Sequence, residues 1–205
     1  MRLDSAAAVA IIRNTPFKPA GTHAMTRSIF LLALMTMTLV TFPGTAAAAS
    51  ADEIDTRSDA ALERLYAQTA EAKPLIERAK GVLIFPRVIK AGIGIGGEYG
   101  EGVLRIDGKP VQYYSTAAAS IGFQLGAQAK AQFLLFMTEE ALDAFRAKDG
   151  WEVGVDGSVS LIRVGVGGSI DTTTARAPVI AFVLADRGLM YDLSLSGSKI
   201  SRIDR

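Results

Sequence analysis

The 205-residue chain has no cysteine and a single histidine, His23. Without cysteine there is no disulfide, no thiol nucleophile and no lipid-anchoring cysteine at a leader's cleavage site. His23 lies upstream of the leader described below, so the mature part has neither His nor Cys. That removes Ser-His-Asp triads and the common zinc, copper and haem ligand sets. One-sided charge is also missing. From Ser50 onward there are 18 Lys and Arg against 20 Asp and Glu, a net charge of −2. No basic field draws nucleic acid, and no acidic tail marks a disordered activator. A membrane-length apolar run is absent too. Ile29 to Val40 gives 12 residues, about 18 Å of helix against a hydrocarbon core of about 30 Å.

That short run belongs to a secretory leader. Met25-Thr26-Arg27 supplies the basic start, Pro43-Gly44 breaks the apolar stretch, and Thr45 to Ala51 offers small residues for a signal peptidase. Residues 1–24 read as an upstream extension, with Met25 as the true start, 25–51 as the signal peptide and 52–205 as one domain. Cleavage after Ala49 or Ala51 leaves about 155 residues, enough to bury around 70% of the unfolded surface in one core. The expected compartment is the periplasm.

What is abundant is glycine. In AKGVLIFPRVIKAGIGIGGEYGEGVL (residues 79–104) Gly92, Gly94 and Gly96 alternate with Ile93 and Ile95 at the period of a strand. A bare glycine face lets another backbone approach or lets the sheet bend sharply. The same residues match G-x-G-x-x-G, but a dinucleotide site needs a helix after the glycines. Here strand and turn follow, so no cofactor is expected. The device recurs at Gly165-Val166-Gly167 and, more sparsely, at Gly122 and Gly126. Bent strands around a barrel-like core explain all three.

The remaining pattern is α+β. Apolar residues between Ala51 and Ala72 fall on one face of a helix, and Pro74 opens a second short helix, Lys73 to Lys80, closed by Gly81. Residues 51–80 carry seven acids and five bases, which favours core packing over a membrane-seeking face. Thr138 caps a helix through Lys148, with Glu139 and Glu140 at its positive end. Three hairpins are expected, turning at Asp107-Gly108, Asp156-Gly157 and Ala185 to Gly188. Together these give a curved antiparallel, barrel-like sheet packed with N-terminal helices and one inserted helix.

Residues 79–104, SIGFQLGAQAKAQFLLFMTEEALDAF (120–145) and DRGLMYDLSLSGSKI (186–200) are similar to signatures of the SYLF domain family, in order, from about Leu62 to Asp204. The family includes eukaryotic proteins that recognise phosphoinositides, actin-patch proteins that bind filaments, and many exported bacterial members. The resemblance implies a lipid-binding or interaction module without enzymatic activity or cofactor. Its partner would be an anionic lipid or membrane surface, or an envelope protein, rather than nucleic acid or, in this compartment, actin.

Candidate lipid contacts are Lys80, Arg87, Lys90 and Arg163, beside the glycine-rich strands. Each base near an anionic surface contributes about 1 kcal/mol; the alternative is solvated charge at strand ends. A structural or protein-interaction module without lipid is the second reading, which exposed aromatics on the glycine-rich strands would favour. A third, a carboxylate hydrolase using Glu98 and Glu101, suffers because residues three apart on a strand face opposite ways.

Overall fold

The computed structural model describes residues 48–164, 176–185, 195 and 197–205, side chains at 93, 94 and 120–127 excepted. Among the described residues there are three helices and six strands, and the α+β architecture expected from the sequence is what forms.

Helix α1 (Ala51–Gln68) starts at Ser50, whose side chain accepts a hydrogen bond from the Glu53 backbone N–H, while Asp52 and Glu53 complement the helix dipole. It buries Ile54, Ser58, Ala61 and Leu65, a stripe at helical spacing. Helix α2 (Ala72–Arg78) takes Pro74 in its first turn, where a missing N–H costs nothing. Ala79, extended, ends it. Gly81 therefore opens the next strand rather than closing the helix.

Strands β1 (Gly81–Ile106) and β2 (Lys109–Phe136) are the spine of the domain, 26 and 28 residues long and antiparallel along their length. Asp107 and Gly108 join them with φ values of 51° and 75°, the paired left-handed geometry that a two-residue hairpin needs. Strands of this length must curl, and glycine permits it. The register slips between Gly92 and Gly94, opposite Gly126 and Gly122. A Cβ on Gly96 would sit 2.4 Å from the Ala91 carbonyl oxygen, and one on Gly102 only 2.2 Å from that of Ile84. The late part of β1 thus packs against its own early part, backbone on backbone. The glycine face does what the alternation predicts.

The rest of the sheet hangs on β2. Near one end β2 pairs with β5 (Val179–Ala185), itself parallel to β4 (Ser160–Val164). Toward the other end it pairs with β6 (Lys199–Ile203), which pairs with β3 (Trp151–Glu152). The hairpin expected at Asp156-Gly157 does not form. Asp156 instead folds its carboxylate back onto the Glu152 N–H, at 2.7 Å, and onto Lys148, making a local turn that sends β3 and β4 to opposite ends of the sheet order. Of the third expected hairpin, β5 is present, while 186–194 lie outside the described residues. So do the Gly165-Val166-Gly167 repeat and nearly all of the leader.

Two cores cover the two faces of the sheet, because alternate strand residues point opposite ways. Leu83, Phe85, Leu134 and Phe136 face the inserted helix α3 (Glu139–Ala147), where Phe145 packs on Tyr114, Phe136 and Trp151 at 4.7–5.6 Å between ring centroids. Val82, Ile84, Phe133 and Leu135 face α1 and α2.

Candidate functional site

An apolar cleft opens between α1, α2 and the start and end of β1. Leu62, Tyr66, Ile76, Ala79, Val82 and Ile84 form its walls, with Glu77, Arg105, Asp107 and Gly108 at its polar side, around about 350 Å³. Val82 and Ile84, both buried, form its floor, and the partly buried Leu62, Tyr66, Ile76 and Ala79 its rim. That volume is at the small end for ligand pockets, which suits one apolar chain rather than two. Burial, and then the nearby Glu77 carboxylate, push the Tyr66 phenol above its ordinary range.

A polar seam holds α1 in place beside the cleft. The Arg105 guanidinium reaches Asp59 and the Asp55 carbonyl (3.2 Å), and the Tyr113 hydroxyl donates to the Asp55 carboxylate at 3.0 Å. Burial and then that Asp55 bond push the Tyr113 phenol up. Glu101, nearby on β1, accepts from Tyr99 (2.9 Å) and Arg205 (2.5 Å).

The basic residues singled out from the sequence do not share one environment. Lys80 is exposed and 3.3 Å from Glu139 at the N-terminus of α3. Arg87, at a register irregularity of β1, and Arg163, on β4, are exposed. The surface role expected of Lys90 is corrected by its burial. Its ammonium has no solvent exposure and lies 3.4 Å from Glu98, whose other oxygen is 2.7 Å from the equally buried Lys130. Sequence reasoning missed Lys130 entirely. Lys130 shares its side of β2 with Gln132, Leu134 and Phe136, while Ala131, Phe133 and Leu135 are buried on the other.

Glu98 and Glu101 are as far from a catalytic pair as their spacing suggests. Glu98 is inside with two lysines, and Glu101 is on the seam with Arg205. Among the described residues no group of His, Cys, Asp or Glu is arranged to hold a metal ion. No helix among them is long and apolar enough to cross a membrane.

Residues 117–204, from the middle of β2 through β6, match the family model described as Ysc84, Las17-binding protein actin regulator. The SYLF resemblance read from the sequence therefore holds over this part of the chain. A curated relative, beta cell expansion factor A of Aeromonas veronii, is 29% identical over 149 residues, which cover 71% of this chain and 54% of the relative. The chain thus spans about half the length of the curated relative it matches.

Proposed function

We propose that this chain is a non-enzymatic, periplasmic lipid-binding module that takes one acyl or similarly apolar chain in the cleft between α1, α2 and β1. The cleft carries the reading. Six of its lining residues are apolar or aromatic, and it is bordered by a helix pinned through side chains as well as by apolar packing. The SYLF resemblance supports lipid as the ligand class. Each buried methylene contributes about 0.8 kcal/mol, so micromolar affinity, about 8 kcal/mol, takes about ten buried methylenes before the cost of association is met, and a shorter insertion binds more weakly. Exposed Lys80, Arg87 and Arg163 add a weak attraction to an anionic surface. Lys90 adds none, because reaching a headgroup would require leaving Glu98.

The test is co-sedimentation of the mature chain with phosphatidylglycerol and phosphatidylcholine vesicles at low and high salt, beside displacement of a fluorescent fatty acid. Ile76→Trp, which fills the cleft, is expected to abolish fatty-acid displacement. Lys80, Arg87 and Arg163 replaced together by Gln are expected to remove only the salt-sensitive part of vesicle binding. Full displacement by the Ile76→Trp variant overturns the cleft assignment.

A second reading has its own observation. Ile89, Ile95 and Tyr99 of β1 are 43%, 78% and 52% exposed, an uncommon number of large apolar side chains in one strand. A protein partner of the envelope seated on β1 explains them without a lipid. Loss of a co-purifying envelope protein on Tyr99→Ser, with fatty-acid binding absent in the native chain, favours this reading.

A further inference from the structure

The polar side of the cleft is weighted toward negative charge. Its charged lining residues are Glu77 on α2, Asp107 in the β1–β2 turn and Arg105 on β1. Arg105 is already answered by two aspartates. Its guanidinium bonds the Asp59 carboxylate, and the Asp55 carboxylate stands 3.9 Å away. Glu77 and Asp107 have no such counterpart. Both are exposed, and among the described residues no ion pair includes either. Arg78 and Lys109 stand close to them in sequence, but neither lines the cleft.

Tyr66 borders the same space, and its phenol is pushed up in part by Glu77. An aromatic ring with a carboxylate beside it favours a positive group twice, through the ring quadrupole and through charge. Apolar floor, aromatic rim and uncompensated carboxylates therefore meet around one volume of about 350 Å³.

We propose that the cleft selects a single-chain amphiphile with a cationic, ammonium-type head, its chain on Val82 and Ile84 and its head at Glu77, Asp107 and Tyr66. This inference rests on the cleft reading above and names the head which that reading left open. A fatty acid then binds by its chain alone, with its carboxylate disfavoured. The exposed bases Lys80, Arg87 and Arg163 do not line the cleft, so attraction to an anionic surface and choice of head are separate properties. Because both carboxylates are open to water, the preference is modest and salt-sensitive. Two such groups are expected to favour an ammonium over a neutral head by about three- to tenfold at low salt.

The test titrates the purified protein with decyltrimethylammonium, decyl glucoside and decanoate below their micelle concentrations, by displacement of a neutral fluorescent probe. The expected order of affinity is ammonium, then glucoside, then carboxylate, converging in 0.5 M salt. Glu77→Gln with Asp107→Asn, where asparagine tolerates the left-handed backbone of the turn, is expected to bring the ammonium and the glucoside within about twofold. Equal affinities for all three in the native protein at low salt overturn the head assignment and leave the cleft standing. A carboxylate preference also overturns it and moves the head to Arg105. An ammonium preference that survives in the double variant, in high salt or in Ile76→Trp places the binding elsewhere and overturns it as well. Failure of all three to bind overturns the head and the cleft together. The salt series on the native protein decides the matter even where the double variant does not fold.

Discussion

Lys130 and Glu98 meet at 2.7 Å inside the curled sheet, with Lys90 on the carboxylate's other oxygen at 3.4 Å. One carboxylate thus serves two ammonium groups that have no contact with solvent. Breaking a buried ion pair from one side costs about 3–5 kcal/mol, because the charge left behind stays desolvated. Glu98→Gln is expected to lower stability by that order, read as a drop in the urea midpoint with unchanged slope. Replacing Glu98, Lys90 and Lys130 together by Gln, Met and Met is expected to recover most of the loss. A midpoint for Glu98→Gln within about 0.5 kcal/mol of native, the range of an ordinary surface change, contradicts this account.

Three glycines separate three physical roles. At Gly102 an added methyl would lie 2.2 Å from the Ile84 carbonyl oxygen, backbone that cannot move aside without opening β1. Gly102→Ala is expected to prevent native folding. Gly108 has open space but a φ of 75°, so Gly108→Ala is expected to cost about 1 kcal/mol of conformational strain. Gly97 has neither problem, its nearest neighbour being the Ala118 carbonyl oxygen at 3.7 Å, so Gly97→Ala is expected to be neutral or slightly stabilising. Thermal melts of the three variants should rank in that order.

The same glycines mark where sequence is readable and where it is not. Alternation in Gly92 to Gly96 announced a bent strand, and Asp107-Gly108 announced its hairpin, because both effects are local to a few residues. Thr138 and its two acids announced α3 for the same reason. Asp156-Gly157 misled because the same dipeptide can close a hairpin or a local turn. The deciding partner, the Glu152 N–H, is distinguished only by how the chain folds back. Lys90 misled because a lysine beside glycines looks like a strand-end charge until Lys130, 40 residues away, is known to share its carboxylate. The cleft was not legible at all, since its walls come from Leu62, Ile76 and Ile84, which pattern as ordinary core.

Tyr113 and Asp55 join the sheet to α1 across 58 residues at 3.0 Å. Tyr113→Phe keeps the ring and removes the donor, so the expected loss is about 1 kcal/mol, the worth of one hydrogen bond. The loss should be local. Hydrogen exchange is expected to speed up in the first two turns of α1 and to leave the β2–β5 pairing unchanged. Uniform acceleration across both would mean that the bond supports global stability instead.

Acid should loosen the seam through Glu101. Burial alone would raise its carboxyl pKa, but the Arg205 guanidinium, the Tyr99 hydroxyl and the Ala49 amide outweigh burial and hold it below the ordinary carboxylate range. A carboxyl depressed in the folded state contributes stability above its unfolded pKa, about 4.3, and loses it as pH falls through the lower folded value. Melting temperature is therefore expected to be nearly flat from pH 7 to about pH 5 on this account and to fall below about pH 4. Glu101→Gln should flatten part of that fall, since the variant has no proton to gain. Glu140 and Asp156 are also depressed, Glu140 mainly by hydrogen bonds at the start of α3 and Asp156 mainly by Lys148. Glu140 is open to solvent, so salt should screen its share more than that of Glu101, whereas the Asp156 side chain is as little exposed as that of Glu101. A wild-type acid transition that disappears in 0.5 M salt would assign the loss to Glu140 at the surface. One that persists in salt and shrinks in Glu101→Gln assigns it to the seam that fixes α1.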